Sequence, residues 1–317
     1  MDNASTFRIY GLLGYPVKHS LSPVMQNAAF KTLPINAEYR LFEVRPEDLE
    51  EFLLSDKPAQ DTEGNSVAKS DIFGFNITIP HKVKAREILE KKFPLDNKKQ
   101  EVPENEYYVQ LSGAINTVKR ETGSLKYYNT DASGFLRSLR QDLKFETKNK
   151  NVLVIGCGGA GRAVIASLTW ERREGVAKIY INDVNQEATN SAREHFSKLS
   201  RFSYLKDKLK FISSDEIPHI IKECHLLVNA TPIGMKGEDA SIVDKSLLHK
   251  GLFVYDLVYY KQGTTRLMKD ASSLNLTCAS GLEMLLYQGA DAFELWMAPM
   301  QAPIEIMRKA LMEAAKR

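Results

Sequence analysis

Four short polar clusters in the first half of the chain combine residue types that can bind a hydroxylated acid. They contain hydroxyls, carboxamides, a lysine and a carboxylate, without the spacing of a metal-ligand set. Each lies at the end of a segment, where an α/β sheet presents its ligands. The clusters are His19-Ser-Leu-Ser-Pro23, Asn76-Ile-Thr-Ile-Pro-His-Lys82, Ser112-Gly-Ala-Ile-Asn-Thr117 and Tyr128-Asn-Thr-Asp131.

Two clusters have a spacing that suits a carboxylate and a diol. Ser20 and Ser22 lie two residues apart at the start of a predicted helix, where their hydroxyls could hold a carboxylate. Ser22 could equally be a helix N-cap. Asn76 and Thr78 alternate with apolar residues along a predicted strand, so their side chains share one face. Two polar groups at the end of a strand suit a diol better than a hydrophobic core.

The candidate charged residues are Lys82 and Asp131. Lys82 begins the helix after the second cluster and, taken alone, could be an ordinary solvated lysine. Asp131 lies where the chain enters a helix and could be a cap. Asn116 adds a carboxamide within a strand of small and apolar residues. The recurrence of these groups at segment ends favours a binding site over four separate structural roles.

A glycine-rich turn joins a predicted buried strand, 152–155, to an apolar helix. Gly156 permits the tight turn, Gly158 lets the backbone approach a pyrophosphate, and Gly159 and Ala160 allow close packing of the helix. The phosphates would meet free N–H groups at the helix N-terminus. The order of strand, turn and helix predicts dinucleotide binding rather than a plain connecting turn.

The next predicted strand ends in Asn182 and Asp183, at the position that selects between nicotinamide cofactors. An acidic side chain there can accept hydrogen bonds from the ribose hydroxyls and would repel a 2′-phosphate. The segment 184–189 contains no arginine to bind such a phosphate. The sequence therefore predicts NAD, with NADP less favoured, although Asp183 could instead cap the following helix.

Strand-like and helix-like segments alternate along the chain, which predicts an α/β fold with largely parallel sheets. The polar residues 55–71 are predicted to be a surface insertion. A length of 317 residues makes two domains the default. The predicted strands cover residues 7–13, 39–44, 72–78, 114–119, 125–128, 152–155, 178–181, 209–212, 225–229 and 252–257.

Composition narrows the class of protein and its partners. The net charge of +3 gives no argument for nucleic acid as a partner, and no apolar run is long enough to span a membrane. Three widely separated cysteines and the absence of a secretory signal predict reduced thiols in the cytoplasm. We expect a small-molecule substrate, no metal and no membrane partner, and a homodimer is compatible with the sequence.

In this order, and ahead of a glycine-rich turn, the clusters resemble the shikimate and quinate dehydrogenase family. The resemblance implies a substrate-binding and catalytic domain over 1–130, completed by 282–317, and a Rossmann dinucleotide-binding domain over 131–281. The matching stretches are Gly14-Tyr-Pro-Val-Lys-His-Ser-Leu-Ser-Pro23, Asn76-Ile-Thr-Ile-Pro-His-Lys82, Gly113-Ala-Ile-Asn-Thr117, Asn129-Thr-Asp131, Gly156-Cys-Gly-Gly-Ala160, Asn229-Ala-Thr-Pro-Ile-Gly-Met235 and Gly281-Leu-Glu-Met-Leu285 with Gln288.

The resemblance also implies a role for each site residue. Lys82 and Asp131 would be the catalytic pair, in which the lysine stabilises charge developing on the substrate oxygen and relays its proton. Ser20 and Ser22 would bind the substrate carboxylate. The ring hydroxyls would be bound by Asn76, Thr78, Asn116, Asp131 and Gln288, with Tyr259 nearby. The cofactor would contact Gly156, Gly158, Gly159, Ala160, Asn182, Asp183, Thr231, Met235 and Gly281.

The implied reaction is the reversible oxidation of shikimate to 3-dehydroshikimate in aromatic amino acid biosynthesis. Family members that use NADP carry arginine after Asn182, so Asp183 again predicts NAD. A quinate dehydrogenase, or an enzyme that accepts both acids and prefers NAD, is the first alternative. A regulator that binds NAD and a metabolite without catalysis is the second, and the intact Lys82 and Asp131 argue against it.

Overall fold

The computed structural model describes residues 7–95, 104–170, 175–259 and 264–316. The chain divides into two compact units, Met1–Thr130 with Leu286–Arg317, and Asp131–Leu285. Each unit contains a sheet with flanking helices, so the predicted two-domain α/β fold is confirmed. The units divide after residue 285, within a helix, whereas the sequence placed the second boundary after residue 281. Within the described ranges, no helix combines the length and apolarity needed to cross a bilayer.

The first unit is built on a mixed five-stranded sheet in the order β2-β1-β5-β6-β7. Its first three strands in that order are parallel, and β6 and β7 run antiparallel to their neighbours. The interior strand β1 is buried on both faces and is apolar along most of its length. The elements are β1 (Arg8–Gly14), α1 (Ser22–Thr32), β2 (Ala37–Glu43), α2 (Leu49–Leu54), β3 (Ala59–Gln60), β4 (Ser66–Val67), β5 (Ile72–Ile77), α3 (Lys82–Lys92), α4 (Glu104–Ser112), β6 (Thr117–Glu121) and β7 (Ser124–Tyr128).

The second unit is a parallel six-stranded sheet in the order β10-β9-β8-β11-β12-β13. The first strand along the chain lies in the middle, which is the doubly wound order of a Rossmann fold, and ligands bind where that order reverses, between β8 and β11. The elements are α5 (Thr130–Gln141), β8 (Asn151–Ile155), α6 (Gly159–Thr169), β9 (Lys178–Asn182), α7 (Gln186–Ser197), β10 (Leu209–Phe211), α8 (Ile217–Ile220), β11 (Leu226–Asn229), β12 (Phe253–Asp256), α9 (Arg266–Ser273), β13 (Cys278–Ser280) and α10 (Gly281–Met297); α11 (Ile304–Ala315) then completes the first unit.

Residues 55–71 are largely exposed, as their polarity predicted, but four of their side chains are buried. Ala59 and Val67, on the short β3–β4 hairpin, are buried in the core of the first unit. Asp61 is buried because its carboxylate accepts hydrogen bonds from the backbone and side chain of Asn65. The Lys69 ammonium donates to the main-chain oxygen of Phe52 and lies 3.5 Å from the centre of its ring. Hydrogen-bond partners therefore allow single polar side chains of this exposed segment to be buried.

Candidate functional site

Three carboxamides predicted to bind substrate form one buried network in the first unit. Asn116 Nδ2 donates to Gln288 Oε1 at 3.2 Å, and Asn76 Nδ2 donates to the main-chain oxygen of Asn116 at 3.2 Å. The antiparallel pairing of β5 with β6 sets Asn76 opposite Thr117 and so brings the second and third clusters together. All three carboxamide side chains are buried. The side chains of such a buried polar cluster can form hydrogen bonds with the hydroxyl groups of a ligand.

Two threonines that the sequence prediction left out complete this network. Thr117 Oγ1 accepts from Asn76 Nδ2 at 2.9 Å and lies 2.9 Å from Thr130 Oγ1. The main-chain N–H of Thr130 donates to Asn116 Oδ1 at 2.7 Å. Each threonine adjoins a predicted residue within the same motif, which was the available signal. We call Asn76, Asn116, Thr117, Thr130 and Gln288 the amide network.

The turn between β5 and α3 positions Thr78 and Lys82. The main-chain N–H of His81 donates to the Thr78 oxygen at 3.0 Å, and the Lys82 oxygen accepts from Ile115 N–H at 3.0 Å. His81 Nε2 lies 2.7 Å from the main-chain oxygen of Val44 and must donate, because that oxygen can only accept. Burial lowers the pKa of His81, so the ring is a neutral anchor. Lys82, half-buried, is thereby fixed at the start of α3.

Ser20 and Ser22 lie together at the N-terminus of α1. The N–H of Ser22 donates to Ser20 Oγ at 3.2 Å. Leu21 is the N-cap and has no side-chain cap, so Ser22 does not take the capping role considered above. Pro23 in the first turn has no N–H, and the N–H of Val24 donates to the Leu21 oxygen at 3.2 Å, so an anion here would be bound chiefly by the two serine hydroxyls. This end of α1 can therefore hold a carboxylate.

Helix α10 is held against α1 through a glycine next to Gln288. A Cβ at Gly289 would lie 2.3 Å from Met25 Cε, so the end of the Met25 side chain would have to shift to admit a larger residue. Gln26 Nε2 donates to the Gly289 oxygen at 2.8 Å. Gln26 is fully buried and was not among the predicted site residues. Its contact fixes the backbone that carries Gln288.

Asp131 and Tyr259 belong to the second unit, where the structure brings them within electrostatic range. Asp131 is buried in the first turn of α5, and Tyr259 is half-buried after β12. Burial, and then the charge of Asp131, raise the pKa of Tyr259 to about 12. The phenol therefore stays protonated at neutral pH and can donate a hydrogen bond. The pairing of Asp131 with Lys82 stays a prediction.

The glycine-rich turn fits the phosphates of a dinucleotide. Gly156 has φ +102°, and a Cβ there would lie 2.7 Å from the carbonyl carbon of Ala230, so the fold itself requires glycine. At Gly158, which precedes α6, a Cβ would meet nothing within 4 Å. That glycine leaves space that a ligand could use. Gly159 and Ala160 begin α6, so their N–H groups belong to its unpaired first turn.

Asn182 and Asp183 brace this turn. The main-chain oxygen of Asn182 accepts from Gly156 N–H at 2.7 Å, and its side chain donates to the Ile212 oxygen at 3.1 Å. The carboxylate of Asp183 accepts from Cys157 N–H at 2.8 Å and from Asn185 N–H at 2.9 Å. Both carboxylate oxygens are thus engaged by the backbone of the turn and of the entry to α7.

The loop after β11, residues 229–235, is held by a buried carboxylate. Asn229 Oδ1 accepts from Thr231 N–H at 3.0 Å and from its hydroxyl at 2.7 Å, while Asn229 Nδ2 donates to Asp256 Oδ1 at 2.9 Å. Asp256 also accepts from Thr265 Oγ1 at 2.6 Å and from Val258 N–H at 3.1 Å. Burial raises the pKa of Asp256. We call residues 229–235 together with Asp256 the anchored loop.

Asp256 was not among the predicted site residues, although a carboxylate at the end of a buried strand was a visible signal.

Two further residues were predicted to contact the cofactor, Met235 at the end of the anchored loop and Gly281 at the start of α10. Met235 is about half exposed at 53%, so its side chain is available to a ligand. Gly281 is required by packing, because a Cβ there would lie 2.0 Å from the Leu257 oxygen.

Comparisons with known proteins identify the family of this chain. A family model described as the shikimate dehydrogenase substrate binding domain matches residues 12–95, and one described as the shikimate 5'-dehydrogenase C-terminal domain matches residues 281–312. A shikimate dehydrogenase (NADP(+)) of Methanopyrus kandleri is 37% identical over 96% of this chain and 95% of its own length. The chain belongs to the shikimate dehydrogenase family. The family resemblance seen in the sequence is confirmed.

Solved structures place the fold in the same family. A shikimate dehydrogenase in complex with NADP+ superposes with a TM-score of 0.78 at 32% identity, covering 100% of this chain and 98% of that one. A quinate dehydrogenase from Corynebacterium glutamicum in complex with NAD has a TM-score of 0.75 at 25% identity, covering 96% of this chain and 99% of that one. The members of the shikimate dehydrogenase family are oxidoreductases.

The prediction of NAD as the preferred cofactor is wrong. The curated relatives of this family member are named as NADP(+) enzymes, and the first of the superposed structures contains NADP+. The prediction treated Asp183 as an acceptor free for ribose hydroxyls. Its carboxylate also accepts from Cys157 N–H and Asn185 N–H, so an acidic residue here has a structural use in the turn and does not by itself identify the cofactor.

Proposed function

We propose that this protein catalyses the reversible oxidation of shikimate to 3-dehydroshikimate with NADP+. The observation that carries the proposal is the amide network, which gathers three buried carboxamides from β5, the residue before β6, and α10. Neutral carboxamides are suited to bind hydroxyl groups, because they can both donate and accept hydrogen bonds and carry no charge. The identity of 37% to an enzyme of that name supports the same substrate.

Substrate binding would use both charged and neutral contacts of the first unit. Ser20 and Ser22, at the N-terminus of α1, would receive the carboxylate, because both hydroxyls can donate to it. Asn76, Asn116 and Gln288 would receive ring hydroxyls. Thr78, just beyond the end of β5, is half-buried and would contribute its hydroxyl.

Lys82 would act on the hydroxyl that is oxidised. Its amine would accept the hydroxyl proton during oxidation, and its ammonium would return that proton during reduction. Asp131 would stabilise the ammonium by its charge, and the protonated phenol of Tyr259 would donate a hydrogen bond to the substrate. When bound, NADP+ supplies the nicotinamide that accepts hydride from the carbinol carbon.

The second unit would hold the cofactor through its backbone. The space beside Gly158 and the first N–H groups of α6 fit a pyrophosphate. Thr231 and Met235, on the anchored loop, would line the nicotinamide end. Asn182 and Asp183 would act indirectly by bracing the glycine-rich turn.

A comparison of two acids and two cofactors tests the proposal. Purified protein is mixed with shikimate or quinate and with NADP+ or NAD+, and the absorbance of the reduced nicotinamide is followed. We expect the highest kcat/KM for shikimate with NADP+. Failure to oxidise either acid would refute the proposed function.

Quinate is the second candidate substrate because of the structural similarity to the quinate dehydrogenase from C. glutamicum. Quinate carries an added hydroxyl on the ring carbon that bears the carboxylate, so it would be distinguished near Ser20 and Ser22. A higher kcat/KM for quinate than for shikimate would assign the chain to that activity instead.

A further inference from the structure

We infer that Tyr39 is a positioning residue for Asn76: its phenol occupies one acceptor site of the Asn76 oxygen and leaves the other for a substrate hydroxyl that donates there. The phenol of Tyr39 lies 2.7 Å from Asn76 Oδ1, and both side chains are buried. This inference rests on the proposed function, because it concerns how Asn76 meets the ring hydroxyls of shikimate. It adds Tyr39, which carries no role above, and fixes the direction of the hydrogen bond.

The orientation of the Asn76 carboxamide is set by an acceptor that cannot donate. The main-chain oxygen of Asn116 lies 3.2 Å from one end of the carboxamide, which must therefore be the NH2 group. The other hydrogen of that group is directed to Thr117 Oγ1 at 2.9 Å. Both hydrogens of Asn76 are thus engaged within the protein. Asn76 is left with its oxygen for a ligand.

The Asn76 oxygen has a defined remaining capacity. Because a carboxamide oxygen only accepts, the phenol of Tyr39 must be the donor in their contact. Among the described residues, Tyr39 is the one donor to this oxygen, and a carboxamide oxygen accepts two hydrogen bonds. The second acceptor site suits a hydroxyl that donates. A ligand atom that can only accept would be repelled at this position.

Tyr39 is itself held rigidly, as a positioning residue must be. Its main-chain N–H donates to Asn27 Oδ1 at 2.7 Å, and its main-chain oxygen accepts from Asn27 Nδ2 at 3.1 Å. These two bonds from α1 occupy the outer edge of β2, which is the edge strand of its sheet. The ring packs 6.2 Å from that of Trp296. The phenol therefore reaches Asn76 from a fixed backbone.

The chain offers a closely matched control in Tyr10. Tyr10 on β1 pairs in register with Tyr39 on β2, both residues are 2% exposed, and both rings pack on Trp296. The Tyr10 hydroxyl interacts with Arg8, at the opposite end of β1 from the strand ends that carry the site. Tyr10→Phe and Tyr39→Phe therefore remove the same group from similar surroundings. Only the second change alters the contact with Asn76.

Steady-state kinetics with shikimate and NADP+ test the inference. We expect Tyr39→Phe to lower kcat/KM for shikimate about tenfold, the loss of one hydrogen bond, with KM for NADP+ unchanged. Tyr10→Phe should keep wild-type kinetics, and both variants should lose similar thermal stability. Equal kcat/KM for shikimate in the two variants overturns the inference. A wild-type protein that does not oxidise shikimate refutes the proposed function, and the substrate role of Asn76 with it.

Analogues that each lack one ring hydroxyl separate positioning from a general structural effect. With the analogue that lacks the hydroxyl bound by Asn76, the tenfold difference between wild type and Tyr39→Phe should disappear. With analogues that keep that hydroxyl, the difference should remain. A difference that persists with every analogue overturns the inference, because Tyr39 would then not act through a hydroxyl at Asn76.

Discussion

The amide network of the first unit and the anchored loop of the second are both buried polar clusters at strand ends, but they differ in charge. The members of the amide network are carboxamides and hydroxyls, whereas the anchored loop ends on the carboxylate of Asp256. A buried carboxylate requires donors on all sides, and Asp256 accepts from Asn229, Val258 and Thr265. A neutral cluster can leave an acceptor for a ligand at less cost.

This difference assigns different tasks to the two regions. The amide network can read hydroxyl groups directly, because its oxygen at Asn76 keeps an acceptor site. The anchored loop is shaped by its carboxylate and would present backbone and side chains to a cofactor. In the proposed function Lys82 supplies the charge, so the chemistry and the hydroxyl recognition would be divided between separate residues.

The largest expected effect is a loss of turnover when the charge of Lys82 is removed. Lys82→Ala should lower kcat for shikimate about a thousandfold, because the alkoxide loses its stabilising ammonium and its proton relay. NADP+ affinity should stay within about twofold, since its predicted site lies on the second unit. Stopped assays with high enzyme concentration give kcat, and quenching of protein fluorescence gives the NADP+ dissociation constant.

Lys84 is the matched control for this change. It lies on the same helix α3 and forms an exposed ion pair with Glu87 at 3.1 Å. Surface pairs contribute little to stability, so Lys84→Ala should keep wild-type kinetics and unfolding. Near-normal turnover of Lys82→Ala would remove the lysine from the mechanism.

The second effect separates a glycine kept for the fold from one kept for the cofactor. Gly158→Ala should raise KM for NADP+ roughly thirtyfold, because the new methyl group enters the space facing the pyrophosphate. Its melting temperature should not change, since φ is −68° and nothing lies within 4 Å of the added carbon. Gly156→Ala should instead lower the free energy of unfolding by about 2 kcal/mol. A stability loss in Gly158→Ala with an unchanged KM for NADP+ would exclude a phosphate site at this turn.

The third effect concerns the anchor itself. Asp256→Ala should lower the free energy of unfolding by about 3 kcal/mol and raise KM for NADP+ about tenfold, because Asn229 and Thr265 lose their shared acceptor. Denaturant unfolding and initial rates give both values. Asp244→Ala is the control, since its exposed carboxylate accepts from the N–H and hydroxyl of Ser246 and takes no part in the anchored loop. A kinetic effect of equal size in both variants would contradict the role of the anchored loop.

Local patterns in the sequence predicted the parts of the site that depend on local geometry. The alternation at Asn76 and Thr78, the start of a helix at Lys82 and the glycine-rich turn each follow from a few neighbouring residues. The contact of Asn76 with Thr117 could not be predicted in this way, because it depends on the antiparallel register of β5 and β6. Tyr39 gave no signal beyond its place on a buried strand face.

The error over the cofactor has the same physical origin. The sequence placed Asp183 correctly at the end of β9 but could not show what its carboxylate contacts. The N–H of Cys157, from the turn after β8, lies 2.8 Å away only because β8 and β9 are parallel neighbours. The burial of Asp61 and Lys69 within the polar segment 55–71 could not be predicted for a similar reason, since both side chains find their partners only in the folded chain.

The smallest expected effect is a difference in pH dependence between two aspartates of the second unit. Burial raises the pKa of Asp256, so the folded protein holds that proton more tightly than the unfolded chain. As the pH falls through the raised pKa towards the ordinary value, wild type should gain stability relative to Asp256→Asn. Hydrogen bonds from Ser246 lower the pKa of the exposed Asp244, so wild type should lose stability relative to Asp244→Asn as the pH falls below the ordinary value. Urea unfolding of the three proteins between neutral and acid pH measures both differences. Changes of the same sign would contradict the contrast between a buried anchor and an exposed cap.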